Sequence, residues 1–305
     1  MSKCLIYGGL LLALLVAPFV GYPMFLMKVL CFGLFACAFN LLIGFTGLLS
    51  FGHAMFFGFA AYVSGHAAKV WGLTPELSVL TGTMAAALIG LFTGWLAVRR
   101  QGIYFAMVTL ALAQMIYFIC VQSPFTYAED GIQSIPRGQL FGLMDLGNDT
   151  RMYYVVLAIF VAAFTLIHRV VHSPFGQVLK SIRENEQRAL SLGYNVDQYK
   201  LMAFVLSAAL AGLAGATKAI SFGLATLTDV GWQMSGEVVL MTLLGGMGTL
   251  IGPAVGAGVI ITMENYLASL GSWVTIIMGC TFVTCVLIFR RGIVGEIEHR
   301  LARKG

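Results

Sequence analysis

The chain has 305 residues, of which 59% are hydrophobic and only 10% charged, and its mean hydropathy is +0.89. Soluble globular proteins carry about 25% charged residues, so this composition excludes an ordinary soluble domain. We attribute the net charge of +5 to membrane topology rather than to nucleic-acid binding, because the basic residues cluster between apolar stretches.

Apolar stretches of about 20 residues, the length a helix needs to cross a bilayer, recur through the chain. They predict an all-α polytopic membrane bundle of about ten spans (eight to ten), forming one transmembrane domain over residues 1–305. The predicted spans are 5–22, 24–43, 48–68, 77–97, 102–121, 151–169, 199–219, 234–249, 250–268 and 272–289.

The third predicted span contains the string LLSFGHAMFFG at residues 48–58. A single histidine in a helix is usually a hydrogen-bonded packing residue, but beside a serine and two glycines it can line a polar pathway. Both interpretations stay open, and Ser50 and His53 are therefore candidate pathway residues.

Two polar regions interrupt the apolar pattern. Residues 122–150 form a predicted external loop with four acidic residues and Arg137. Residues 173–193, called the polar segment below, begin with Ser173 and Pro174, which suit a helix N-cap and first turn, and end at Gly193. We expect one charged helix in water, longer than a plain connection between two spans requires.

The predicted spans 234–249 and 250–268 are separated by glycines and a proline. Irregular backbone at membrane depth is tolerated only where it packs in protein or lines a cavity. We therefore predict that Gly245, Gly246 and Thr249 line the pathway. Small residues four apart, which let helices approach closely, occur at Ala208, Gly212, Ala216 and at Gly248, Gly252, Gly256.

Acidic residues within the spans lie near predicted outer ends, and none falls clearly at the midplane. Carriers driven by protons or sodium commonly place an acid or a broken-helix ion site there, so its absence argues against a self-sufficient secondary carrier. Glu237 is a candidate for the outer mouth of the pathway. The alternative is an interfacial carboxylate paired with Lys218 or with water.

Basic residues predict the orientation of the chain. With the polar segment inside the cell, ten spans place both termini in the cytoplasm, and 13 of the 18 lysines and arginines on the same side. The other five are Lys28, Lys69, Arg137, Arg151 and Lys218.

No motif for nucleotide binding or catalysis is present. The chain contains no Gly-x-x-x-x-Gly-Lys-Ser/Thr loop, so if ATP drives this protein, another chain hydrolyses it. Its six cysteines lie in or beside spans, and no cysteine–histidine spacing suits zinc. The sequence thus predicts no catalytic residue, no metal site and no cofactor.

Six stretches in order carry a resemblance to LivM-type permease subunits of ABC importers for branched-chain amino acids and related small polar solutes. They cover roughly residues 40–295. The stretches are GFTGLLSFGHA at 44–54, RQGIYFAMVTL at 100–110, IRENE at 182–186, KLMAF at 200–204, AGLAG at 211–215 and GGMGTLIGP at 245–253.

The resemblance implies a permease subunit of the bacterial inner membrane with no catalytic site of its own. Its partners would be a second, LivH-like permease, two ATPase subunits and an external solute-binding protein. The polar segment would be the coupling helix that docks on an ATPase subunit. Its contacts would come from Ser181, Arg183, Glu184, Glu186 and Arg188, with Gly193 ending the helix.

Two departures from the family pattern bear on coupling and on the solute. ABC importers generally show Glu-Ala-Ala-x-x-x-Gly on the coupling loop, but here Gln187 and Arg188 precede Ala189 and Gly193. The outer loop has Thr126-Tyr127-Ala128 where the family often has Thr-Gly-Gly. Urea, a short amide or another amino acid therefore remains an alternative solute to branched-chain amino acids.

Overall fold

The computed structural model describes residues 2–140, 142, 144–268, 271, 273–288 and 292–296. Over these residues the chain is an all-α bundle, as predicted. The helices are α1 (Ser2–Val20), α2 (Pro23–Thr46), α3 (His53–Lys69), α4 (Pro75–Ala97), α5 (Ile103–Gln122), α6 (Asp149–His172), α7 (Pro174–Glu184), α8 (Glu186–Ser191), α9 (Val196–Phe222), α10 (Trp232–Gly245), α11 (Gly252–Leu267) and α12 (Trp273–Ile288).

Each of the ten predicted spans corresponds to one apolar helix. Within the described residues, five of these helices are long and apolar enough to cross a membrane: α2, α4, α5, α6 and α9. The third predicted span is shorter than expected, because residues 47–52 form a turn and α3 begins only at His53. The basic residues 290, 291, 300, 303 and 304, and residue 289 at the end of the last predicted span, lie outside the described residues.

Helices α2, α3 and α9 form the centre of the bundle, and small residues allow their close packing. A β-carbon added to Gly215 of α9 would lie 1.9 Å from the backbone oxygen of Phe57 in α3. One added to Gly256 of α11 would lie 1.9 Å from the backbone oxygen of Met241 in α10. The predicted role of the small-residue spacing in close helix contacts is confirmed at Gly256, whereas Gly215 lies outside the predicted series.

The segment between α5 and α6 folds against the end of the bundle opposite the polar segment. Its strand β1 (Ile132–Gln133) pairs antiparallel with β4 (Leu224–Ala225), and β2 (Gln139–Leu140) pairs antiparallel with β3 (Met144–Asp145). Arg137 fastens the segment to the bundle, because its guanidinium donates to Asp149 at 2.6 Å and to the backbone oxygen of Ser221 at 3.1 Å.

Candidate functional site: the polar segment and the α10–α11 break

The polar segment is two helices rather than the single helix that its sequence predicts. Ser173 caps α7 by accepting a hydrogen bond from the Gly176 amide at 3.4 Å. Asn185 ends α7 with extended backbone, and its side chain accepts from the Arg188 amide at 3.0 Å, which caps α8. Asparagine competes well for such capping positions, which explains the interruption. Gly193, with φ +86°, follows α8 in the left-handed conformation that favours glycine.

One face of the polar segment is packed and the other is open. Val178, Ile182 and Ala189 are buried together with Val196 at the start of α9. The exposed coupling candidates are Ser181, Arg183, Glu184 and Arg188. The segment is therefore fixed to the bundle by its apolar face while it presents charged side chains to its surroundings.

Two of the predicted coupling residues reach back to the bundle. Glu186 accepts hydrogen bonds from Lys200 of α9 at 2.6 Å and from Gln101, just before α5, at 2.9 Å. Arg183 donates from Nη1 to the backbone oxygen of Gly44 near the end of α2. These two residues connect the polar segment to three different parts of the membrane domain.

Residues 246–251, called the α10–α11 break, separate two short helices and contain Gly246 and Gly248 with positive φ angles of 120° and 79°. The side chain of Asn40 in α2 holds this break with two hydrogen bonds. Its Oδ1 accepts from the Gly248 amide at 3.0 Å, and its Nδ2 donates to the Thr249 carbonyl at 2.8 Å. Gly245 packs against Gly252, where an added β-carbon would lie 1.9 Å from the Gly252 oxygen.

Sequence reasoning did not identify Asn40. The available signal was an amide side chain inside the apolar stretch of α2, since polar groups within membrane spans are costly and are commonly functional.

Ser50 and His53 are packed within the chain. Ser50 accepts from the Gly52 amide at 3.3 Å, and His53 Nε2 lies 2.8 Å from Ser207 Oγ. Because the Ser207 hydroxyl donates to the Ala38 carbonyl at 2.6 Å, Nε2 of His53 must be the donor to Ser207. The imidazole stands edge-on to Phe39, Phe56 and Phe204.

An apolar cavity of about 450 Å³ lies beside the turn that contains Ser50. Leu48, Leu49 and Phe51 form one wall, and Ile103 and Leu110 of α5 belong to the other. The pathway roles of Ser50, His53, Gly245, Gly246 and Thr249 remain predictions.

The pairing of Glu237 with Lys218 suggested above is wrong. Lys218 donates to both carboxylate oxygens of Asp229 at 2.6 Å, and Lys28 forms an ion pair with Glu264 at 3.1 Å. Asp229 follows α9 closely in the chain and is buried, which makes it the nearer partner for Lys218. Glu237 is half-buried in α10, and its role at the mouth of a pathway remains a prediction.

No group of three histidine, cysteine, aspartate or glutamate side chains within the described residues is arranged to hold a metal ion.

Comparison with known proteins identifies the family of this chain. The model of the family described as "Branched-chain amino acid transport system / permease component" matches residues 21–287. The LivM permease of the high-affinity branched-chain amino acid transport system of Escherichia coli (strain K12) is 26% identical over 288 residues, covering 87% of this chain and 68% of that protein.

Two further relatives differ in what their names say they transport. The LivH permease of the same system in Escherichia coli (strain K12) is 23% identical, covering 88% of this chain and 92% of LivH. The ribose import permease RbsC of Bacillus subtilis (strain 168) is 27% identical, covering 73% of this chain and 70% of RbsC. No solved structure matches this chain significantly. The chain is thus a multi-pass inner-membrane protein that belongs to the family of permease components of branched-chain amino acid transport systems.

Proposed function

We propose that this chain forms one half of the translocation pathway of an ABC importer and that branched-chain amino acids are the solute. The other half is a second, LivH-like permease. Two ATPase subunits supply the energy from the cytoplasm, and a solute-binding protein delivers the solute from outside. Both termini are then cytoplasmic.

The observation that carries the proposal is the two-sided polar segment. An apolar face anchored on α9 and a charged face directed away from the bundle suit a rigid platform for a soluble partner. Glu184 and Arg188 are exposed there, where a partner can pair with both charges. A loop that only connected two spans would need neither a buried anchor nor two capped helices.

The permease relatives support the amino acid as solute, and the apolar cavity beside Ser50 is compatible with an aliphatic side chain. The ribose permease among the relatives makes ribose a competing solute in the test. Urea and short amides belong in the same test, because the outer loop departs from the family pattern at Thr126, Tyr127 and Ala128.

The test is reconstitution of the chain in liposomes, alone and with its candidate partner subunits, with ATP enclosed on the ATPase side. Uptake of radiolabelled leucine is measured in competition with isoleucine, urea and ribose. We expect leucine uptake only with all partners, ATP and binding protein present, and competition by isoleucine alone. Leucine uptake by the isolated chain, driven by a proton or sodium gradient, would instead establish a secondary carrier.

The docking surface is tested separately by reversing two exposed charges, Glu184→Lys with Arg188→Glu. Close interfacial charge pairs contribute about 1.5–7 kcal/mol, so we expect the ATPases to co-purify poorly while the chain itself inserts and folds normally. The matched control reverses Glu129 and Asp130 at the opposite end of the bundle, where no effect on ATPase binding is expected. Normal ATPase binding and uptake in the first variant would show that the polar segment is only a linker.

A further inference from the structure

Arg183 occupies the point where the polar segment, the end of α2 and the α10–α11 break meet. Its Nη1 donates to the Gly44 carbonyl. A β-carbon added to Gly248 in the break would lie 3.3 Å from the same nitrogen, and one added to Gly47 would lie 3.2 Å from Arg183 Cγ. The final carbonyls of a helix lack partners within the helix and attract cations, so Arg183 also completes the C-terminal end of α2.

Asn40 lies one turn before Gly44 on the same face of α2 and links this part of α2 to the α10–α11 break. Its amide is 2% exposed and binds both Gly248 and Thr249. Gly44 makes this possible, because a β-carbon there would lie 2.2 Å from Asn40 Oδ1 and 2.8 Å from the Gly248 nitrogen. Any larger residue at position 44 would displace the Asn40 side chain and break its hydrogen bonds to Gly248 and Thr249.

The break itself is a closed hydrogen-bonded unit. Thr249 Oγ1 donates to the Gly246 carbonyl at 2.8 Å and accepts from the Gly252 amide at 3.1 Å. Both hydrogen bonds of Asn40 end within this unit. A displacement of the α2 end therefore moves the break as one body or ruptures the hydrogen bonds of Asn40.

We propose that Arg183 and Asn40 are positioning residues that transmit movement of the polar segment to the α10–α11 break. The inference rests on the proposed function, since it requires an ATPase that moves the polar segment. It also gives Arg183 a different role from Glu184 and Arg188. Arg183 is exposed as they are, but its guanidinium also donates to the Gly44 carbonyl of α2. When the polar segment shifts, the hydrogen bond from Arg183 moves the Gly44 carbonyl and the end of α2. The hydrogen bonds of Asn40 then move Gly248 and Thr249.

The test uses the complete importer with a cysteine reporter, Met247→Cys, at an exposed position in the break. Labelling by a water-soluble maleimide is compared between nucleotide-free and ATP-bound complexes. Labelling of the native cysteines is measured in the complex without the reporter and subtracted. We expect the two states to differ by about threefold or more. Arg183→Ala and Asn40→Ala should each remove that difference and reduce uptake by about tenfold, although the ATPases still co-purify.

The controls separate transmission from folding and docking. Arg151→Ala removes an exposed arginine at the opposite end of the bundle, outside the docking surface, and should leave the labelling difference unchanged. Arg183→Lys, which keeps a charged donor, should retain part of it. If the alanine variants do not assemble, Arg183→Lys is compared with Arg183→Gln, and Asn40→Asp, which keeps the acceptor for Gly248, takes the place of Asn40→Ala.

The outcomes distinguish this proposal from the proposed function. Absence of ATP-dependent uptake in the unmodified complex would refute the proposed function itself. An unmodified complex that transports but shows no state-dependent labelling at position 247 would overturn the transmission proposal alone. The same conclusion would follow if assembled Arg183→Ala and Asn40→Ala complexes kept the full labelling difference and normal uptake.

Discussion

Helices α9 and α6 are both long apolar helices, yet they occupy opposite environments. In the most apolar stretch of α9, 78% of residues are buried, whereas in α6 the fraction is 28%, although α6 has the higher hydropathy. Lipid tails are as apolar as leucine, so hydrophobicity does not drive a span toward the centre of the bundle. Small residues do distinguish the two helices, because α9 contains alanines and glycines at successive turns and α6 contains larger side chains.

The largest expected difference between the two helices concerns their ion pairs. Asp229→Asn would leave Lys218 of α9 as a buried charge without a full partner, since the two side chains are only 3% and 11% exposed. Breaking such a pair costs about 3–5 kcal/mol. Thermal unfolding of the detergent-solubilised protein, followed by size-exclusion chromatography, measures the loss.

The matched control for that change is Asp149→Asn at the start of α6, where the carboxylate is 41% exposed and pairs with Arg137. Exposed pairs contribute about 1 kcal/mol or less, so its melting temperature should fall far less. Equal losses in the two variants would show that burial does not separate α9 from α6 at this end of the bundle.

The next effect concerns close backbone contact. Gly215→Leu places a side chain where the Phe57 carbonyl of α3 leaves no space, and overpacking of this kind costs about 1–3 kcal/mol. Backbone cannot move aside as a side chain can, so we expect the upper part of that range and a reduced yield of monodisperse protein. Gly279→Leu in α12 is the control, since no described atom lies within 4 Å of its added β-carbon.

Much of this organisation could be predicted from sequence, because spans, caps and small-residue spacing are local properties. All ten apolar helices, the cap at Ser173 and the close approach at Gly256 followed from residues near each other in the chain. The break between α7 and α8 at Asn185 also depends on a local side chain. The start signals at Ser173 and Pro174 and the end signal at Gly193 nevertheless favour one continuous helix.

The connections between distant segments could not be predicted. Asn40 and Thr249 are separated by 209 positions, and Arg183 and Gly44 by 139. A single sequence gives no information on which polar groups meet across such distances. The charge of Arg183 indicates an exposed residue, and Arg183 is exposed. Only the packing of α2 against α7 shows that its guanidinium also binds the Gly44 carbonyl.

The smallest expected effect compares two leucines of equal size in these helices. Leu166 of α6 is 43% exposed and Leu210 of α9 is 5% exposed. Leu166→Ala should change the unfolding free energy by about 0.5 kcal/mol or less, because lipid fills the space that the side chain leaves. Leu210→Ala should cost about 2 kcal/mol, since a cavity remains among packed helices. Both are measured by unfolding in mixed detergent micelles. A loss at Leu166 as large as at Leu210 would contradict the comparison, because it would mean that the surrounding detergent and lipid do not fill the space at Leu166.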